Sequence, residues 1–381
     1  MLNYETTKDN KNGCYPFNYY PFLDGFRGVA ILAVMSAHAQ NFFHAKDFSG
    51  LLFKFLVLVG PLGHLGVDMF FVISGFLITG ILIRNYRDPI DVRRFYVRRI
   101  FKIIPPYASL ILMTMLMVPF DEAGKWNIGH LGPYVLFTQN YAPYVVTPLA
   151  HTWSLSIEEH FYLIFPLIVA AIFCLAKSED SRRRCILGLG LAIMAFTILF
   201  RDILHDTRFF IFSNLGPDFT QTTLFRADAL MFGCVLRVME PYYAHGMDKV
   251  WRVLSPVLLL CGLIIYYYFS QNLDQNGFII CRAKFIFSYI APGLLLLGIY
   301  RGGRWLRRVF ENNVLRWVGK NSYGIYLWHY VLITLLASSL MLYLRPTLAV
   351  VAFYVLSMIA GWLSTITVER YALKLRHRLC P

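Results

Sequence analysis

Long apolar stretches recur along the chain, separated by short polar clusters. A helix that crosses a bilayer needs about 20 mostly apolar residues, within a range of about 17–25. Ten stretches reach that length: 24–43, 64–83, 100–119, 153–175, 186–204, 222–239, 253–270, 284–300, 322–342 and 347–367. Two more, 51–59 and 129–139, are too short to cross and read as interfacial or re-entrant. The pattern predicts an all-α integral membrane protein, with about ten transmembrane helices in one bundle. Residues 1–22 form a polar N-terminal segment, 23–368 the transmembrane domain and 369–381 a basic tail.

Charge gives the layout a direction. Most of the 36 Lys and Arg residues fall between apolar stretches on one side if both termini are cytoplasmic. Treating 129–139 as a full span would put Arg182, Arg183 and Arg184 outside, so the charge pattern argues against it. Composition agrees. Only 15% of residues are charged, against about 25% in soluble domains. Aromatic residues reach 17%, as expected where helices meet a membrane interface. The net charge of +14 sits in these topological clusters and does not imply nucleic acid. The N-terminus lacks the apolar core of a cleaved signal peptide. None of the seven cysteines has metal-site spacing, and no metal is expected.

Ionisable groups inside spans cost about 2.5–3.5 kcal/mol each at mid-depth, so they mark candidate chemistry. Arg27 and His38 are eleven residues apart, which puts them on one helix face with a rise of about 16 Å. Asp24 lies one turn from Arg27, within reach of an ion pair. Asp68 reads either as a helix cap or as a substrate contact. Arg94, Arg98, Arg99 and Lys102 recur at helical spacing before Pro105 and Pro106, which are expected to kink or interrupt the helix. Such a basic rim suits a phosphate-bearing ligand, although positive-inside topology explains part of it. His151 and Trp153 sit at an interface. Glu158 and Glu159 follow, pointing about 100° apart, so one faces the bundle and the other a second partner. His160 reads as interfacial. His329 is either a packed core residue or part of a site.

The segments LDGFRGVAILAVMSAHA, GVDMFFVISGFLIT, RRFYVRRIFKIIPPY, HTWSLSIEEHFYLIFPL and YGIYLWH resemble the successive motifs of acyltransferase family 3. They stand in family order and cover nearly the whole chain. The resemblance implies transfer of an acyl group, commonly acetyl, from cytoplasmic acyl-CoA to a hydroxyl of an envelope glycan or glycolipid, in a bacterial inner membrane. It maps the family's Arg-x10-His pattern onto Arg27 and His38, its basic stretch onto Arg98, Arg99 and Lys102, and its Trp-Ser-Leu motif onto Trp153 to Glu158. In the expected mechanism the basic rim holds the acyl-CoA phosphates, and His38 is a general base or carries the acyl group. Glu158 then orients an imidazole or binds the acceptor.

Two departures stand out. Lys102 replaces the common arginine, keeping the charge but losing the bidentate fork. The ending VERYAL has Tyr371 where proline is common. Some relatives add an extracytoplasmic hydrolase-like domain. With none here, transfer is expected to finish in the membrane domain or to pass to a separate envelope protein. The rival reading is a multi-pass transporter or flippase for an anionic or lipid-linked solute, since buried His, Arg and Glu also suit proton relays. Paired broken helices in repeated halves, which that reading favours, are not evident.

Overall fold

A computed structural model describes residues 19–43, 54, 60, 63–85, 89–117, 130–142, 146–207, 221–244, 248–271, 278–302 and 304–379. The N-terminal segment up to residue 18 and most of 51–59 lie outside them. Among the described residues there is no strand. The helices are α1 (Pro21–Phe42), α2 (Gly63–Asn85), α3 (Pro89–Met117), α4 (Leu131–Val135), α5 (Trp153–Leu175), α6 (Glu179–Thr207), α7 (Thr223–Val238) and α8 (Glu240–Ala244). They continue with α9 (Asp248–Gln271), α10 (Phe278–Arg301), α11 (Arg304–Phe310), α12 (Asn313–Lys320), α13 (Ser322–Tyr343), α14 (Pro346–Ser364) and α15 (Arg370–Leu379). A π-turn, Thr365–Glu369, joins the last two. Two 3-10 turns, Gln139–Tyr141 and Thr147–Thr152, lead into α5.

Every one of the ten expected stretches lies on a helix. Six of the described helices are long and apolar enough to cross a membrane. Phe285–Arg301 and Ser322–Ala337 are shorter apolar helices. The stretch 222–239 corresponds to α7, of only 16 residues, which carries Arg226, Asp228 and Arg237. Leu112, Leu116, Leu163, Leu199 and Val355 present their side chains outward. Such a ring of outward apolar groups is solvated by lipid rather than water. This is an integral membrane protein.

Helices α1 and α2 form the centre, with 67% of each spanning window buried, against 17% for the outer α6. Proline pre-sets the start of α1, where Pro21 occupies the first turn and Asp24 faces the helix N-terminal dipole. Close packing rests on glycine at two seams. A Cβ on Gly75 of α2 would overlap the Leu230 carbonyl of α7, and one on Gly233 of α7 would overlap the Val72 carbonyl of α2. Gly28 of α1 and Gly319 of α12 meet in the same reciprocal way.

The prolines do not interrupt α3, which runs through Pro105 and Pro106. Ser109 Oγ donates to the Pro106 carbonyl at 2.7 Å, and Tyr323 OH of α13 donates to the Ile103 carbonyl at 2.9 Å, which ties this stretch of α3 to its neighbour. The stretch 129–139 holds only the short α4 and the start of a 3-10 turn among its described residues, and it does not cross. Cys174, Cys185, Cys234 and Cys261 are free thiols.

Candidate active site

Helices α1 and α13 and the 3-10 turn before α5 bring three histidines together. His38 Nδ1 lies 2.9 Å from His329 Nε2, with the rings stacked at 5.1 Å. The His151 ring stands edge-on to His329 at 5.3 Å and stacks on Tyr330 at 5.1 Å. Tyr330 also meets the His38 ring edge-on at 4.7 Å.

Backbone carbonyls fix the protons of this cluster. His329 Nδ1 is 2.7 Å from the Tyr326 carbonyl and 3.2 Å from that of Ile325. A carbonyl only accepts, so Nδ1 carries the hydrogen and Nε2 of the neutral ring is an acceptor. His38 must then donate from Nδ1, which leaves its lone pair on Nε2. His329 is fully buried. Both of its ring nitrogens are engaged, Nδ1 by its own helix backbone and Nε2 by His38. Likewise His151 donates from Nε2 to the Leu327 carbonyl at 3.2 Å, so its lone pair sits on Nδ1. Tyr326 OH secures the same turn by donating to the His151 carbonyl at 2.5 Å, and Ser154 Oγ lies 2.7 Å from that hydroxyl.

Glu158 is not among the histidines. Its carboxylate accepts from Ser74 Oγ at 3.2 Å and from Tyr162 OH at 2.8 Å, with Arg27 and Arg99 close enough to act on its charge. Glu158 thus lies within the field of two of the basic residues, Arg27 and Arg99, and also acts on Tyr326. Arg27 does not pair with Asp24, whose carboxylate accepts from Tyr19 OH instead. Glu159 lies within the field of Glu158 and of the same Arg99.

The basic rim divides. Arg94 and Arg98 are exposed, while Arg99 is half-buried with its guanidinium 4.6 Å from the centre of the Tyr162 ring. Lys102 Nζ is 2.6 Å from Glu369 Oε1 of the π-turn, so its charge is already answered by the carboxylate of the VERYAL segment. Asp68 neither caps a helix nor faces open space. It is buried and ion-paired with Arg226, next to a second pair in which Arg201 lies 2.7 Å from Asp228. Trp153 borders this quartet, 5.9 Å from the Arg226 guanidinium and edge-on to Phe71 at 6.3 Å.

His160 is not merely interfacial. Its Nδ1 lies 2.7 Å from Thr223 Oγ1, which accepts from Asn140 Nδ2 at 3.1 Å. Phe137 has a φ of 55°, a left-handed conformation uncommon for a bulky residue. The neighbouring Gln139 donates to the Thr152 carbonyl at 3.0 Å. Adjacent side chains thus tie the histidine turn to the start of α7. Among the described residues no group of three or more His, Cys, Asp or Glu is placed to hold a metal.

Residues 20–366 match the sequence profile described as an acyltransferase domain, Acyl_transf_3. The chain belongs to the acyltransferase 3 family. It is 28% identical over 342 residues to "Peptidoglycan O-acetyltransferase OatA" of Listeria monocytogenes, covering 84% of this chain and 50% of that protein. It is 29% identical over 346 residues to "Putative peptidoglycan O-acetyltransferase YrhL" of Bacillus subtilis, covering 83% and 49%. "Putative O-acetyltransferase SACOL0978" of Staphylococcus aureus is 26% identical over 337 residues, covering 84% and 52%. The chain spans about half the length of these relatives. No solved structure matches it.

Sequence reasoning passed over Arg201, Arg226 and Asp228, as well as Tyr326 and Tyr330. The signal for Arg226 and Asp228 was present, since FRADAL places both charges inside an expected span. The tyrosines gave no comparable signal, because an aromatic residue in an apolar helix is ordinary core.

Proposed function

We propose that this acyltransferase moves an acetyl group from acetyl-CoA, bound from the cytoplasmic side, to a hydroxyl of a cell-envelope glycan in a bacterial cytoplasmic membrane. The observation that carries the reading is the ordered pair His38–His329. It leaves the His38 Nε2 lone pair on a ring whose opposite N–H is already engaged. A neutral imidazole so held is a nucleophile near neutral pH, and the acceptor Nε2 of His329 stabilises the positive charge that acylation creates.

Arg94, Arg98 and Arg99 supply the anion-binding rim for the donor's phosphates, and Lys102 contributes less because Glu369 neutralises it. Glu158, hydrogen-bonded to Ser74 and Tyr162, supplies a negative charge near Arg27 and Arg99. In the first step His38 Nε2 attacks the thioester carbonyl carbon, the C–N bond forms, the C–S bond breaks and CoA leaves as thiolate. In the second step the glycan hydroxyl oxygen takes the acyl group and the electron pair returns to Nε2. The names of the relatives support an O-linked acetyl product on peptidoglycan or a similar glycan.

The test is acetyl transfer from labelled acetyl-CoA into the ester fraction of native membranes. His38→Ala is expected to abolish it. A correctly inserted His38→Ala protein that still transfers at the wild-type rate would refute the reading.

A further inference from the structure

The glycan hydroxyl must lose a proton as it takes the acyl group, and His38 cannot accept that proton while its Nε2 is acylated. A second base is needed within the same cluster. His151 meets the requirements one by one. Its tautomer is set, because Nε2–H is directed at the Leu327 carbonyl 3.2 Å away and the lone pair is forced onto Nδ1. That Nδ1 is buried and has no hydrogen-bond partner among the described residues. A buried acceptor left unpaired costs about 1–3 kcal/mol, so its retention in a packed interior calls for a use.

Position agrees with chemistry. His38 and His151 lie against the same Tyr330 ring, at 4.7 Å and 5.1 Å, so the two imidazoles border one aromatic side chain. The His151 ring stacks on Tyr330 and tilts against Tyr326 at 5.2 Å, and the Leu327 carbonyl accepts from its Nε2–H. The turn that carries His151 is fixed by the Tyr326 hydroxyl and by Gln139, so the ring needs little reorganisation.

We propose that His151 is the general base of the second half-reaction, accepting the glycan hydroxyl's proton on Nδ1. The glycan oxygen attacks the acyl carbonyl carbon on His38, and the new C–O bond forms as its proton passes to His151. The C–N bond breaks with its electron pair returning to His38 Nε2. His151 then releases the proton to solvent, which balances the thiolate lost in the first step. This rests on the acetyl-transfer reading with His38 as carrier, and it divides the two steps between two imidazoles.

The experiment compares full-length wild-type protein with His151→Gln in native membranes supplied with labelled acetyl-CoA. Glutamine keeps an N–H for the Leu327 carbonyl but has no basic nitrogen. Two quantities are read: label in the membrane ester fraction, and acetyl on His38 by mass spectrometry after rapid quench. The expected result is an ester-forming rate at least 100-fold lower, an unchanged kcat/KM for acetyl-CoA, and acetyl-His38 above the wild-type level. Added imidazole is expected to restore part of the rate in His151→Gly. Ester formation within threefold of wild type overturns the proposal, and so does loss of acetyl-His38 together with turnover, which marks a structural role. If wild-type protein forms ester without ever carrying acetyl on His38, the carrier step fails and the proposal fails with it. If it forms no ester at all, the transfer reading itself fails.

Discussion

His329 Nε2 accepts a hydrogen bond from His38 Nδ1 at 2.9 Å, across 291 positions of sequence. Helix α13 holds the acceptor in place by spending the other nitrogen of His329 on its own backbone. His329→Phe removes the acceptor while keeping an aromatic ring, and is expected to lower the rate of His38 acylation about 100-fold or more, with KM for acetyl-CoA little changed. His329→Gln offers a carbonyl oxygen to the same N–H and is expected to keep more activity than His329→Phe. Burst measurements of CoA release check both.

Arg99 lies over the Tyr162 ring and beside Glu158. Lysine would keep the charge but lose the flat stacking face. Arg99→Lys is therefore expected to raise KM for acetyl-CoA about tenfold, with a smaller change in kcat. Steady-state kinetics at several acetyl-CoA concentrations separate the two.

Lys102 and Glu369 form an ion pair in which the carboxylate is only 2% exposed. Removing one partner of a buried pair costs about 3–5 kcal/mol, whereas replacing both is far milder. Lys102→Met is expected to lower the melting temperature in detergent clearly, and Lys102→Met with Glu369→Gln to recover most of the loss. If Lys102 served mainly the donor, the double variant would show no recovery of stability.

Two glycines should behave in opposite ways. Gly75→Val drives a branched side chain into the α7 backbone and is expected to leave little folded protein. Gly188 of α6 has nothing within 4 Å of an added Cβ. Gly188→Ala is expected to be neutral or to stabilise by up to about 1 kcal/mol, through better helix propensity. Yield and melting temperature of the purified variants decide.

Helix positions were largely legible in the sequence because lipid demands long apolar runs, and all ten stretches fall on helices. Arg27 and His38 both lie on α1, as the apolar pattern required. Partners across helices were not legible. Glu158 was expected to orient an imidazole or bind the acceptor, and its hydrogen bonds go to Ser74 and Tyr162. Asp68 looked available until α7 placed Arg226 beside it. Lys102 looked like a phosphate ligand until the π-turn delivered Glu369. For Asp68 and Lys102 the deciding residue comes from a helix far along the chain, where one-dimensional spacing carries no information. His329 differs again, since its neighbours Tyr326 and Ile325 are local, but only geometry reveals which nitrogen they occupy.

The reciprocal glycines of α2 and α7 set backbone against backbone. No side chain lies between the two helices there to change rotamer and absorb a change in crossing angle. The seam of α1 and α12 has the same construction on the other side of the centre. A rocking motion of two halves, as alternating access demands, would have to pull these seams apart against direct van der Waals contact. Helix α1, which carries His38, is thus seated backbone against backbone, so the proposed transfer calls for a small acyl group to move between held atoms rather than for two halves to rock apart.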